Sequence, residues 1–170
     1  MHIDVYGSYM GHDFSMKYLK RKEKGKGDFV FNALIDGKPA KMYFKEVKDP
    51  GRLLFADIFF DWIVETDNGL YEAWTVGVGD KSIHPLYFNG KPVAHAVKPH
   101  TVIDDMHVYQ ISVYDEDNLE HILAMILEMC FHFIWRPYHP SEVRKGVVKT
   151  FCINKSPFIR EKISYLNGKY

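Results

Sequence analysis

The sequence predicts a mainly β protein folded around one hydrophobic helix, and two observations lead to this fold class. Short segments of alternating apolar and polar residues are separated by Asp-Gly and Asn-Gly dipeptides. These dipeptides fit tight hairpin turns because they tolerate positive φ. A later segment, Leu119 to Trp135, is almost continuously apolar and carries helix signals at both ends. We therefore expect a series of antiparallel strands followed by one helix.

Eight segments have the composition and alternation of strands. They are residues 2–10, 28–35, 38–47, 53–65, 70–78, 82–88, 91–97 and 102–114. The dipeptides Asp36-Gly37 and Asn89-Gly90 predict hairpin turns, and each is followed by Lys-Pro. Asn68-Gly69 predicts a further turn between two of the segments. This order is a β-meander in which neighbours in sequence are neighbours in the sheet.

The helix is expected to begin after Asp117 and to end before Pro137. Asp117 is the predicted N-cap, and Glu120 completes a capping box with it. The polar positions form one narrow stripe, which contains Asp117, His121, Glu128 and His132. A helix with so narrow a polar stripe must bury most of its circumference. A membrane span is disfavoured because the apolar run is shorter than about 20 residues and contains an acidic residue and two histidines.

Composition is that of one domain with ample material for a core, since 46% of the 170 residues are hydrophobic. Lys and Arg together number 22, as do Asp and Glu, so no overall charge selects a nucleic-acid partner. Cys130 and Cys152 are too few for a disulfide framework and are expected to be reduced core thiols. The N-terminal residues do not resemble a signal peptide, so a cytoplasmic location without a transmembrane segment is expected.

Charge is unevenly distributed along the chain. Residues 136–170 have a net charge of +6, and residues 1–135 therefore have −6. We expect residues 138–170 to be a basic extension that packs back on residues 1–137 as part of the same domain. A second basic run lies near the start of the chain. Such a run is typical of a solvated loop, and the alternative is that its side chains contact the phosphates of an anionic surface. Its candidate residues are Lys17, Lys20, Arg21, Lys22, Lys24 and Lys26.

Catalytic and cofactor signatures are missing from the sequence. It contains no Gly-x-Ser-x-Gly elbow, no Walker motif and no dinucleotide-binding glycine pattern. His121, Glu128 and His132 are the best candidates for metal ligands because their spacing places them on one helix face. No recognised metal motif accompanies them, so we expect neither a metal nor a cofactor, and no enzymatic activity.

The hairpin around residues 89–92, the strand from His107 to Tyr114 and the helix from Leu119 to Trp135 together resemble the tubby C-terminal-like superfamily. This superfamily includes LURP-one-related proteins and phospholipid scramblases. The resemblance covers about residues 1–137. It implies a closed barrel of about twelve antiparallel strands around a central hydrophobic helix, in which closure removes exposed edges. Glu128 and His132 depart from this pattern because they are polar for the centre of a barrel.

The leading functional expectation is a soluble, non-enzymatic module that binds a protein or an anionic lipid surface. One alternative is a lipocalin-like barrel that binds a small ligand. Such a barrel carries its helix outside, where a broad polar face is needed, and the narrow stripe favours enclosure. Another alternative is a toxin-immunity-type protein that uses its acidic body to bind a basic partner. A hydrolase is the last alternative.

Overall fold

The computed structural model describes residues 4–19, 30–48, 58–78, 81–99, 108–115 and 117–135. Several predicted features lie outside these residues. They include most of the basic run, from Lys20 to Lys26, the first part of the predicted strand 102–114, Cys152, and the whole basic extension 138–170.

Ten strands and one helix are formed by the described residues. The strands are β1 Asp4–Tyr9, β2 His12–Leu19, β3 Val30–Ile35, β4 Lys38–Lys48, β5 Ile58–Thr66, β6 Gly69–Ala73, β7 Val76–Val78, β8 Lys81–Phe88, β9 Lys91–Pro99 and β10 Gln110–Val113. The helix α1 spans Leu119–Trp135, as predicted.

All ten strands belong to one antiparallel sheet. Its order is β1-β2-β3-β4-β5-β6-β8-β9-β10, and the short β7 pairs with β8 beside this path. For the described residues, the mainly β fold with a single helix is thus confirmed. Closure into a barrel is not found, because no pairing among the described residues joins β1 to β10. The described strands also number ten rather than the expected twelve.

Tight turns connect three of the hairpins. Met10, Asp36 and Asn89 have φ values of 50°, 52° and 49°, and each precedes a glycine that also has positive φ. This is the pattern of a type I′ turn, whose twist matches that of the flanking strands. The turns predicted at Asp36-Gly37 and Asn89-Gly90 are therefore confirmed. The turn at Met10-Gly11 was not predicted, because methionine rarely occupies such a position.

Two strand assignments need correction. Lys17 was placed in a solvated loop, but it belongs to β2, whose Phe14 and Met16 face the core while Lys17 is exposed. Residues 70–78 were expected to form one strand. They form β6 and β7, which are separated by Trp74 and Thr75 and pair with different parts of β8. Both parts keep the same register with β8, and the interruption at Trp74 lies opposite Pro85, which has no backbone N–H to donate.

The helix fills the space enclosed by the curved sheet. It contacts β2 and β3 near one end of the strand order and β9 and β10 at the other. Leu123, Ala124, Met125 and Leu127 are completely buried, and none of the residues from 119 to 132 is exposed. Burying each large apolar side chain stabilises the fold by about 1.5–3 kcal/mol. In the part of the chain that the structure describes, no helix combines the length and apolarity needed to cross a membrane.

Gly7 allows an aromatic side chain to pack beneath β1. It lies opposite Phe14 in the register of β1 and β2, on the side of the sheet that faces the helix. A Cβ atom at this position would overlap the buried Phe14 ring. The glycine therefore leaves the space that this ring occupies.

Candidate functional site

The polar stripe of the helix is divided into two separate groups. His121 lies near the start of α1 and contacts Tyr71 of β6, whereas Glu128 and His132 contact His84 of β8. The three predicted metal ligands therefore do not converge. Within residues 4–19, 30–48, 58–78, 81–99, 108–115 and 117–135, no group of three His, Cys, Asp or Glu side chains is placed to hold a metal ion.

The first group joins the start of the helix to the turn between β5 and β6. Glu120 accepts hydrogen bonds from Asn68 Nδ2 at 2.6 Å, Tyr71 OH at 3.1 Å and Thr66 Oγ1 at 3.2 Å. The predicted capping box is wrong, since Glu120 is engaged with the sheet. The N-cap is Asn118, whose backbone and side-chain oxygens accept from the amide of His121 at 3.1 Å and 3.4 Å.

Burial shifts the pKa values of Tyr71 and His121 in this first group. The hydroxyl of Tyr71 also lies 2.8 Å from His121 Nδ1. Burial and the neighbouring Glu120 carboxylate raise the pKa of Tyr71 far above its usual value, so the phenol stays protonated. Burial lowers the pKa of His121, although Glu120 and Asp115 oppose this shift. These groups are suited to anchoring the helix, because each one is already hydrogen-bonded to another.

The second group is a chain of buried hydrogen bonds between β8 and the helix. Ser82 Oγ lies 3.1 Å from His84 Nε2, and His84 Nδ1 lies 3.3 Å from Glu128 Oε1. If the imidazole donates from Nδ1 to the carboxylate, the serine hydroxyl donates to Nε2. Thr75 Oγ1 approaches the same Nδ1 at 3.4 Å. The ring of His132 packs edge-on against His84, with 4.4 Å between the ring centroids.

The connectivity of Ser82, His84 and Glu128 matches that of a nucleophile, a general base and an orienting acid. Their exposure argues against that chemistry, because the exposed fractions are 4%, 0% and 3%. A substrate carbonyl must reach the hydroxyl oxygen, and the burial of Ser82 opposes such an approach. Glu128 Oε2 has no hydrogen-bond partner among the described residues. The link from the helix to β8 therefore depends on a single carboxylate oxygen.

Lys98 is a further buried polar residue at this end of the interior. It lies opposite Ser82 in the register of β8 and β9, and it is 1% exposed. Its Nζ donates to the carbonyl of Pro99 at 3.2 Å and lies 6.0 Å from the centroid of the Tyr109 ring. Burial lowers the pKa of Lys98 to about 8, because a charged ammonium is costly to desolvate.

Sequence reasoning missed Ser82, His84 and Lys98. Ser82 and His84 lie in the predicted strand 82–88, and Lys98 directly follows the predicted strand 91–97; strict alternation places all three on the same side as the core residues Leu86, Ala94 and Ala96. The alternation of inward and outward side chains along each strand is therefore the signal that predicts their burial. It conflicts with the usual assignment of polar residues to the solvent face of a sheet.

The open surface site is acidic and lies at the start of the helix. It is a cleft of about 420 Å³. Its lining includes four carboxylates, from Asp36, Asp115, Asp117 and Glu120, together with one lysine, Lys38. Of the basic candidates, Lys17 does not line it. Lys17 is exposed on the outer face of β2 opposite Asp4, and the other five lie outside the described residues.

The chain matches no protein-family model, no curated protein and no solved structure.

Proposed function

We propose that this chain is a non-enzymatic binding module that recognises a protein partner on the outside of its helix-filled sheet. One observation carries this proposal. The helix occupies the interior, and no side chain from Leu119 to His132 is exposed. A small-ligand barrel needs an interior volume of several hundred Å³, which these side chains occupy instead.

The surface favours a protein over a lipid membrane. Tyr6 and Met10 are 76% and 81% exposed, and Tyr9 lies beside them at the same hairpin. Exposed tyrosine and methionine side chains are enriched where proteins bind proteins. Lys17, the described member of the basic run, lies opposite Asp4 across the strand pair, so a negative charge is its cross-strand neighbour. A basic partner, as in the toxin-immunity alternative, would suit the acidic cleft.

The proposed relation to the tubby C-terminal-like superfamily is supported by the enclosed helix and by the order of the antiparallel strands. It does not bring a known ligand, because no lipid-binding position of that superfamily is matched residue by residue in this chain. We therefore keep the function to surface recognition of a protein.

An apolar fluorescent probe tests whether the interior is filled. N-phenylnaphthylamine is expected not to bind the native protein stoichiometrically. A Leu127→Ala variant is expected to bind a small apolar molecule such as benzene, because it opens a dry cavity in the core. Stoichiometric binding of the large probe by the native protein would instead support the small-ligand barrel.

Vesicle flotation separates the protein partner from the lipid surface. We expect the full chain to stay unbound with vesicles containing anionic lipids at low salt. If vesicles retain the protein, and charge reversal at Lys20, Arg21 and Lys22 abolishes that retention, the lipid surface replaces the protein partner. A Lys38→Glu variant is the matched control because Lys38 lies in the acidic cleft.

A serine hydrolase is the second candidate, and only the hydrogen-bond chain from Ser82 to Glu128 favours it. A fluorophosphonate probe tests it directly, because the probe reacts covalently with an activated serine. We expect no labelling, since Ser82 is buried. Labelling that disappears in Ser82→Ala but persists in Ser8→Ala, an exposed serine on β1, would reverse this ranking.

A further inference from the structure

Asparagine followed by glycine is chemically unstable, and the chain contains this dipeptide three times. Asn68-Gly69 and Asn89-Gly90 lie at described turns, and Asn167-Gly168 lies outside the described residues. Glycine has no Cβ, so its backbone nitrogen can closely approach the side-chain carbonyl of the preceding asparagine. Asparagine is accordingly one of the thermolabile residues of proteins. The two described asparagines differ in the hydrogen bonds that their side chains make.

Asn68 holds the start of the helix through its side-chain amide. Its Nδ2 donates to Glu120 Oε2 at 2.6 Å. The other oxygen, Oε1, accepts from Thr66 Oγ1 at 3.2 Å and from Tyr71 OH at 3.1 Å. We call the helix start docked when the hydrogen bond from Asn68 to Glu120 is formed. A hydrogen bond to a carboxylate is stronger than one between neutral groups, so docking fixes the amide of Asn68.

The surroundings of this hydrogen bond are acidic. Asn68 and Glu120 both line the cleft at the start of the helix, which contains four carboxylates and one lysine. The positive end of the helix dipole attracts negative charge, but the carboxylates already present share that attraction. A fifth carboxylate at position 68 would therefore meet repulsion from like charges.

Asn89 has the opposite hydrogen-bond role. Its Oδ1 accepts from the backbone amide of Leu70 at 2.9 Å, and its own backbone amide donates to the Leu70 carbonyl at 2.9 Å. An aspartate keeps an acceptor oxygen and could replace Asn89 in these contacts. Asn68 acts as a donor, and an ionised aspartate cannot donate from its side chain. The same change from asparagine to aspartate therefore has different consequences at the two turns.

We propose that Asn68 is a self-modification site, at which docking of the helix start suppresses deamidation and completed deamidation prevents redocking. The backbone nitrogen of Gly69 attacks Cγ of Asn68, and a bond forms between these two atoms. The bond from Cγ to Nδ2 breaks, and Nδ2 leaves as ammonia with the proton of the Gly69 amide. Water then opens the resulting succinimide at either carbonyl and yields aspartate or isoaspartate.

Docking suppresses this reaction because the side chain of Asn68 must turn toward the nitrogen of Gly69, and the hydrogen bond to Glu120 opposes that rotation. Local opening of the helix start releases the side chain. After the reaction, the new carboxylate has no proton to donate to Glu120 Oε2, and it adds negative charge to the acidic cleft. Since the ammonia is lost, the site records irreversibly how long the helix start has been open.

Ageing of the full chain at mildly alkaline pH tests the suppression by docking. Peptide mapping by mass spectrometry measures conversion at Asn68 and Asn89 in the same sample, so Asn89 is an internal control. Glu120→Ala should accelerate conversion at Asn68 about fivefold, which corresponds to the loss of one hydrogen bond of about 1 kcal/mol. Conversion at Asn89 should not change. An unchanged rate at Asn68, or equal acceleration at both asparagines, would overturn the inference.

Asn68→Asp reproduces the deamidated side chain and tests whether redocking is prevented. Hydrogen exchange of residues 122–126, in the first hydrogen-bonded turns of the helix, should accelerate at least about fivefold. Asn68→Ala removes the donor without adding charge and should accelerate exchange less. Asn89→Asp is the matched control and should leave this exchange unchanged, because the acceptor oxygen is kept.

A double variant reverses the polarity of the hydrogen bond. When Asn68→Asp is combined with Glu120→Gln, the glutamine Nε2 can donate to the new carboxylate, while its Oε1 still accepts from Thr66 and Tyr71. Exchange in residues 122–126 should then return toward the native rate. Native exchange in Asn68→Asp, or no recovery in the double variant, would refute the inference. These measurements need no binding partner, so this inference and the proposed protein-binding function fail separately.

Discussion

Removing His84 is expected to destabilise the protein more than removing a comparable exposed histidine. His84→Leu keeps a similar side-chain volume but deletes the donor to Glu128 Oε1. The other oxygen of Glu128 already has no partner among the described residues, and the side chain is 3% exposed. Leaving a buried carboxylate without its hydrogen-bond donor costs about 3–5 kcal/mol, because the remaining group stays buried without compensation.

An exposed pair of the same chemistry provides the control. His12 Nδ1 lies 2.9 Å from Asp36 Oδ1, and the two side chains are 44% and 45% exposed. Because water solvates both groups, His12→Ala should cost at most about 1 kcal/mol. Urea denaturation measures both variants. With a slope of about 2 kcal/mol per molar urea, the His84 variant should lower the unfolding midpoint by about 1.5–2.5 M.

The double variant His84→Leu with Glu128→Leu distinguishes the loss of a buried hydrogen bond to a carboxylate from a simple loss of packing. If the cost comes from stranding the carboxylate, removing both groups should recover about 2–3 kcal/mol relative to the sum of the single variants. If the destabilisation of the double variant equals the sum of the two single variants, the explanation by an uncompensated carboxylate is refuted. So would a His84→Leu variant that is no less stable than His12→Ala.

Three further predictions concern the turns, the edge strand and the buried lysine. Met10→Asn should raise the unfolding free energy by about 0.5–1 kcal/mol because asparagine tolerates positive φ, whereas Asn89→Met should lower it; thermal unfolding compares the two. Gly7→Ala should cost about 1–3 kcal/mol by overpacking the aromatic ring beneath it, and Ser8→Ala, which is exposed, should change the melting temperature little. Lys98 has a folded pKa of about 8, below its unfolded value of about 10.4, so the unfolded state binds more protons between these values. The stability of the native protein relative to Lys98→Met should therefore rise from pH 8 to pH 10 in urea titrations, and a flat difference would contradict burial of the ammonium.

Local sequence patterns were sufficient for the elements whose signals lie within a few residues. The helix bounds were predicted correctly because the apolar run and Pro137 are contiguous in the chain. The hairpins at Asp36-Gly37 and Asn89-Gly90 were predicted because positive φ has a specific residue preference. The β1–β2 hairpin was missed because Met10 breaks that preference.

The polar groups of the interior depended on contacts between residues distant in sequence. The helix stripe was read correctly as one line of polar residues, but its partners are Tyr71 and His84, which lie 50 and 44 residues earlier in the chain. Which strand faces which side of the helix depends on the register of the whole sheet. No local pattern contains that register.

By itself, the sequence determined that residues 119–135 form a helix that must be buried and that antiparallel strands precede it, because turn chemistry and hydrophobic periodicity are local properties. Only the tertiary structure decided that the helix is anchored by Glu120 and Glu128. The physical reason is that burial and hydrogen-bond partners are set by packing between segments. Those segments meet only when the sheet curves around the helix.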